Sequence, residues 1–334
     1  MTRLLIHEAA WRSVADALAA HGPAIEIAVM DDSGSITQGG AVVENGAANP
    51  DAAWLTAGLF NSPAARPFVV ELLKSPGLKW VQSVAAGFDH PMFAQIVAKG
   101  AQLSNSHAHA GPIADYVLAG VLDHFQGGPG RRDAQARGVW DELPAREIAG
   151  SRWLIVGFGA IGQAVAARAR AFGATIVGVR RRRASDLIAE RTVALADVHA
   201  ELRVADVVVL SAPLNADTRG LADARFFAVM KAGAVLVNVG RGGLVNEPDL
   251  LAALDRGVPA RAILDVFETE PLPAESPFWR HPRVSLTAHS AGETGEAGEV
   301  ARGNEALFLD NLRRYLAGEP LRNFVDPADV LASR

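Results

Sequence analysis

Residues 157–162 read Gly-Phe-Gly-Ala-Ile-Gly. They stand between the apolar run Trp153–Val156 and a stretch in which Ile161, Val165, Ala169 and Phe172 recur at helical spacing. A strand that runs through a glycine turn into a helix is the setting in which this spacing binds a dinucleotide. Gly157 permits the tight turn, Gly159 lets the backbone approach a pyrophosphate, and Gly162 lets helix and strand pack closely. The first helical N–H groups, at Ala160 and Ile161, are offered to phosphate oxygens.

Such a fingerprint ordinarily continues to an acid at the end of the second strand, about 20 residues on, where it holds a ribose 2′-hydroxyl. Here the run Thr175–Val179 ends at Arg180, followed by Arg181, Arg182 and Arg183. No carboxylate stands there to repel a 2′-phosphate. Guanidinium groups bind that phosphate through charge-assisted, bidentate hydrogen bonds. The reading is NADP preferred, with NAD as the alternative.

Three further groups each follow a candidate strand, the side of an open α/β sheet on which ligands bind. Arg241 lies in Asn-Val-Gly-Arg-Gly-Gly, Glu270 in Leu-Asp-Val-Phe-Glu-Thr-Glu-Pro-Leu-Pro, and His289 in Leu-Thr-Ala-His-Ser-Ala-Gly. Singly, each has an ordinary explanation as a solvated cation, a surface acid or a structural histidine. Jointly, and after the glycine turn, they make a cation, an acid and a proton donor on one dinucleotide-binding scaffold.

At this point the chain resembles the D-isomer-specific 2-hydroxyacid dehydrogenases. The matching segments are GFGAIG, Ala212-Pro213-Leu214 with Thr218-Arg219-Gly220-Leu221, NVGRGGLVNE, LDVFETEPLP and TAHSAGET. Ala85–His90 and the terminal Asn311-Leu312, Gly318–Leu321 and Asn323 also match, in the same order. The resemblance implies hydride exchange between a nicotinamide and a 2-oxo acid of the glyoxylate/hydroxypyruvate class. Arg241 would grip the carboxylate and polarise the carbonyl oxygen, His289 would donate the proton, and Glu270 would orient the imidazole and favour its charged form. The backbone N–H groups of Ala86 and Gly87 would complete the carboxylate site from the other domain. Cofactor contacts are implied at Ala212, Pro213, Thr218, Val239, Ala291 and Asp265, the last on the carboxamide side of the nicotinamide.

Three positions depart from the family pattern. Ala288 stands where a proline commonly precedes the histidine, which is expected to loosen the turn presenting His289. Asn215 replaces the usual threonine, and Asp115 a glutamate. Glu270 argues against formate dehydrogenases, which carry glutamine there. Two alternatives remain: a dinucleotide-sensing, corepressor-like binding protein, and another dehydrogenase of the family that uses NADH.

The elements that must position these groups alternate strand and helix. Arg3–His7, Ile25–Val29, Ala53–Leu59 and Trp80–Val84 read as strands, with helices at Trp11–Ala20 and Arg66–Lys74. Asp31–Pro50 reads as loop with one short strand at Ala41–Val43. A second series, Trp153–Val156, Thr175–Val179, Val207–Leu210, Val235–Val239, Ala262–Leu264 and Val284–Thr287, supplies six parallel strands. Gly111–Phe125 reads as a helix, Gln126–Gly130 as a breaker, and Glu247–Arg256 as a helix with Pro248 inside its start and Gly257 past its end. Glu293–Ala317 reads as one long helix with Val300, Leu307, Phe308, Leu312, Tyr315 and Leu316 buried, returning to pack on the first series.

The fold class is therefore α/β: two doubly wound parallel-sheet domains, a Rossmann cofactor domain (108–290) inserted in a flavodoxin-like substrate domain (1–107 and 291–334). At 334 residues the chain suits two domains, and its net charge of −5 argues against nucleic acid. It has no cysteine, which removes thiolate chemistry and cysteine-ligated metal. No apolar run is long enough for a membrane helix, and the N-terminus reads as a first strand rather than a signal peptide. His107 and His109 read as hinge or structural histidines, and no metal is expected. A cytoplasmic protein is the default expectation from this composition, and a homodimer is implied by the resemblance, with 111–140 as the contact arm.

Overall fold

The computed structural model describes residues 1–44, 46–180, 188–294 and 298–331. The chain forms two compact units, Met1–Ala108 with Thr294–Arg334, and His109–Glu293.

The first unit holds a sheet of seven strands. They are β1 (Thr2–His7), β2 (Ile25–Met30), β3 (Ile36–Gln38), β4 (Ala41–Val43), β5 (Ala52–Leu55), β6 (Trp80–Ser83) and β7 (Gln102–Ser104). Their order is β4-β3-β2-β1-β5-β6-β7. The five strands β2, β1, β5, β6 and β7 pair in parallel, and β3 and β4 close one edge antiparallel. Strand residues alternate between two apolar layers, as the period-2 pleat requires. Leu5, Ala53 and Val81 face Phe68, Phe93 and Ile96. Leu4, Ile6, Trp54 and Trp80 face Phe308 and Leu312 of the helix Glu299–Ala317. Trp54 stacks on Phe308 with ring centroids 4.3 Å apart, so the C-terminal helix completes this core.

The second unit carries β8 (Arg152–Val156), β9 (Thr175–Val179), β10 (Arg191–Val193), β11 (Val207–Leu210), β12 (Val235–Asn238), β13 (Arg261–Leu264) and β14 (Val284–Leu286). The order is β10-β9-β8-β11-β12-β13-β14, parallel throughout. The order reverses at β8, between β9 and β11, which is where doubly wound sheets bind ligands. Its central strands are covered on both faces by apolar clusters, which is why they read as unbroken apolar runs.

Several sequence expectations are corrected. The strand expected over Ala53–Leu59 stops at Leu55. The Thr56 hydroxyl accepts the Leu59 N–H at 3.3 Å and starts a short helix, Ala57–Phe60, an N-cap that a purely apolar reading misses. The 31–50 segment forms two strands rather than one, because Asp31 closes a turn onto the N–H groups of Ser33 and Ser35. The helix Pro91–Ala98 and strands β7 and β10 were not expected. The breaker Gln126–Gly130 ends inside a new helix, Gly128–Ala136, whose proline sits at its tolerated start. The C-terminal helix begins at Glu299 rather than Glu293, and of its expected stripe Val300, Phe308 and Leu312 are fully buried.

Candidate active site

All strands of the second sheet point the same way, so the segments that follow β8, β9, β11, β12, β13 and β14 emerge at one edge. They carry, in turn, the glycine turn, Arg180, Ala212, Arg241, Asp265 and His289.

The glycine turn has the shape the spacing demands. Gly157 has φ +94°, and a Cβ there would lie 2.3 Å from the Ala212 nitrogen. A Cβ on Gly162 would lie 2.4 Å from the Gly157 carbonyl oxygen, so helix Ala160–Ala171 packs directly on the turn. At Gly159 an added Cβ would meet nothing within 4 Å, and the residue is exposed. The cradle is closed on the protein side and open outward, which fits a bound pyrophosphate. Ala160 and Ile161 are the first residues of the helix.

Arg180 stands at the end of β9, its Nε donating to the Phe158 carbonyl at 2.9 Å. Arg181, Arg182 and Arg183 lie outside the described residues. Ala212 is buried against Gly157, and Pro213 is exposed. Thr218 is buried, and its hydroxyl works within its own loop, donating to the Pro213 carbonyl at 2.7 Å and accepting the Asn215 N–H at 2.9 Å. Asn215 Oδ1 accepts the N–H groups of Asp217 and Thr218. This turn accounts for asparagine where the family carries threonine. Val239 is buried, with its N–H donated to Leu210.

Arg241 follows β12 in an extended conformation, half-buried. Its loop is clamped by buried Asn238, whose Nδ2 donates to the Arg241 carbonyl at 3.0 Å and whose Oδ1 accepts the Gly240 N–H at 3.1 Å. Arg241 Nη1 also donates to the Gly240 carbonyl at 2.8 Å. The next residue, Gly242, lies on the backbone of the following loop, so close that a Cβ would sit 1.8 Å from the Phe267 carbonyl carbon. The loop of Arg241 and the loop of Glu270 are therefore packed backbone to backbone.

Glu270 is held at both oxygens. Oε1 accepts the Phe267 N–H at 2.9 Å, and Oε2 lies 2.7 Å from His289 Nδ1. The imidazole is 51% exposed and the carboxylate 35%. Engagement of Nδ1 orients the ring and leaves Nε2 as the nitrogen not engaged by Glu270.

His289 has φ +52°, a left-handed backbone that costs a non-glycine residue about 1 kcal/mol or more. Asp265 holds it there. The Asp265 carbonyl accepts the His289 N–H at 2.8 Å, and its Oδ1 accepts the N–H groups of Ser290 at 2.9 Å and Ala291 at 3.1 Å. The Thr287 hydroxyl donates to the same oxygen at 2.6 Å and lies 2.9 Å from the Tyr116 hydroxyl. Burial pushes Tyr116 above its ordinary range, with the Thr287 hydrogen bond pulling down and the Asp265 charge pushing up. The turn expected to be loose without its proline is thus anchored by a buried carboxylate. Thr287, Tyr116 and Asn238 were not anticipated; Thr287 and Tyr116 act on a loop from a neighbouring strand end or helix, and Asn238 clamps the loop that follows its own strand, so no local periodicity marks them.

Ala86 and Gly87 follow β6 in the first unit, where the Ala86 carbonyl accepts from Asn105 at 2.9 Å. Burial holds His107 below its ordinary range, and His109 Nδ1 lies 3.3 Å from the Gly292 carbonyl.

Comparison with known proteins accords with this geometry. Residues 118–291 match the family described as D-isomer specific 2-hydroxyacid dehydrogenase, NAD binding domain. A glyoxylate/hydroxypyruvate reductase A from Salmonella newport is 32% identical over 280 residues, covering 80% of this chain and 88% of the relative. A D-isomer specific 2-hydroxyacid dehydrogenase from Xanthobacter autotrophicus Py2, solved with NADPH and MES, superposes with a TM-score of 0.78. It is 29% identical, with 98% of this chain and 99% of that one covered. An NADPH-dependent glyoxylate/hydroxypyruvate reductase from Sinorhizobium meliloti, solved with NADP and sulfate, gives 0.77 at 27% identity, with both chains covered in full. By profile, sequence and fold together, the chain belongs to the D-isomer-specific 2-hydroxyacid dehydrogenase family.

Proposed function

We propose that this protein is an NADPH-dependent reductase of small 2-oxo acids of the glyoxylate/hydroxypyruvate class. The observation that carries the reading is the Glu270–His289 couple at 2.7 Å, set at the same sheet edge as the glycine turn and Arg241. The printed activities of the Salmonella and Sinorhizobium relatives support the substrate class. The NADPH and NADP complexes of the two structural relatives, together with Arg180 in place of an acid, support the cofactor.

When bound, the reduced nicotinamide supplies a hydride to the carbonyl carbon of the 2-oxo acid. The chain supplies the charge and the proton. Arg241 pairs its planar fork with the substrate carboxylate and polarises the carbonyl oxygen. His289, protonated, donates from Nε2 to the oxygen as it becomes an alkoxide. Glu270 keeps the ring in one orientation through Nδ1. Asp265 fixes the backbone that presents the ring. The proposal assigns dinucleotide binding to residues 108–290 and substrate binding to 1–107 and 291–334. It takes the enzyme as a cytoplasmic homodimer with 111–140 as contact arm, where Trp140 is 94% exposed; sedimentation equilibrium tests that assembly.

The experiment for the activity is a panel of 2-oxo acids followed by loss of NADPH and NADH absorbance. Turnover of glyoxylate or hydroxypyruvate, faster with NADPH, is the expected result. Stabilisation by NADPH with no turnover of any 2-oxo acid would replace the enzyme by a dinucleotide-binding module.

A further inference from the structure

Phe158 sits between Gly157 and Gly159, where the turn itself asks for nothing bulky, yet it is only 3% exposed. Its ring lies against β9 at the one residue of that strand with no side chain. A Cβ on Gly178 would come within 2.7 Å of the ring. The ring carries Arg180, whose guanidinium carbon is 5.1 Å from the ring centroid. The Phe158 carbonyl oxygen accepts Arg180 Nε at 2.9 Å and Gln163 Nε2 at 3.3 Å. The turn is tied to the same strand by the N–H groups of Gly157 and Phe158, both donated to the Val179 carbonyl at 3.2 Å. Phe158, Gly178 and Arg180 are thus one packed group joining the glycine turn to the end of the second strand.

We propose that Phe158 is a positioning residue for dinucleotide selectivity: its ring and carbonyl oxygen hold the Arg180 guanidinium beside the glycine turn, pre-set for the 2′-phosphate of an NADP-type dinucleotide. Gly178 is the gap in β9 that seats the ring. The inference rests on the NADPH reading above and adds the residues that set it. An arginine on a flexible stem loses rotamer freedom when it binds phosphate, and one already fixed through Nε and stacked on an aromatic face loses less. The Nε bond also fixes the plane of the fork, which a bidentate phosphate contact requires. A ring that served only the core would contribute to every dinucleotide alike.

The test is calorimetric binding to the full chain of NADP⁺, NAD⁺, adenosine 2′,5′-bisphosphate and AMP. Phe158→Leu removes the aromatic face and keeps an apolar filling. It should weaken NADP⁺ and the bisphosphate roughly five- to thirtyfold, and leave NAD⁺ and AMP within about twofold. Gly178→Ala, which presses on the ring from the strand, should do the same, and Phe158→Tyr should retain selectivity. Equal weakening of all four ligands by Phe158→Leu and Gly178→Ala would overturn the proposal. So would loss of selectivity in Arg180→Ala with none in Phe158→Leu, and in that case the NADPH reading would stand. Equal affinity of the unmodified protein for NADP⁺ and NAD⁺ would remove the NADPH reading and the proposal with it.

Discussion

Among the described residues, two of the histidine–carboxylate couples follow strands, His289–Glu270 and His7–Asp32, and they are built in opposite senses. At the end of β14, the His289 imidazole is half exposed, and its acid is the better buried partner, held at both oxygens by Phe267 and the ring itself. At the end of β1, the His7 imidazole is 4% exposed, and its partner Asp32, 3.1 Å away, is 73% exposed. Asp32 also accepts the Ser62 hydroxyl. His7 Nδ1 is buried and has no hydrogen-bond partner among the described residues. The pairs look alike as residue types. They differ in which member meets water: an exposed ring on a fixed acid can pass a proton to a ligand, whereas a buried ring with a solvated acid ties a loop to a strand.

The sharpest test of that contrast is His289→Gln. The substitution should lower kcat for 2-oxo acid reduction by roughly 10²–10⁴-fold with dinucleotide affinity unchanged by calorimetry. A comparable loss on His7→Gln, with an intact fold by circular dichroism, would erase the distinction. Arg241→Ala comes next, with a loss in kcat/KM of about 10²–10³-fold and NADPH binding preserved. Normal turnover with weakened NADPH binding would take Arg241 out of the substrate site.

Glu270→Gln should act through the orientation of the ring. A neutral amide holds Nδ1 less firmly than the charge-assisted bond it replaces, so kcat should fall roughly tenfold with the KM for the 2-oxo acid nearly unchanged. Steady-state rates equal to those of the unmodified protein would make Glu270 a bystander. The smallest effect belongs to Asp32→Asn. An acid this exposed should change stability by no more than about 0.5–1 kcal/mol and leave turnover unaltered, read from thermal melts and steady-state rates.

What was legible in the sequence follows from what is locally encoded. Val207–Leu210 is buried on both faces, so its four apolar residues announced a central strand. Glu247–Arg256 carries its own start and stop in Pro248 and Gly257. The glycine spacing at 157–162 encodes a turn with steric demands at Gly157 and Gly162 and an open face at Gly159, and the turn has them. Edge elements gave weaker signals. β3, β7 and β10 are three residues each, too short for a period, and β5 was overrun because a threonine cap looks like one more strand residue.

By itself, then, the sequence determined the doubly wound second sheet, the glycine turn, and which cation, acid and imidazole follow its strands, because each rests on burial patterns or residue types confined to a few neighbouring positions. Only the tertiary structure decided how those residues are held. Asp265 reaches the N–H groups of Ser290 and Ala291 because β13 and β14 are adjacent, and Gly242 meets Phe267 because the loops after β12 and β13 pack together. Phe158 can carry Arg180 because β9 leaves a gap at Gly178. These contacts span tens of residues of chain, and they exist only once the sheet order has brought the strands side by side.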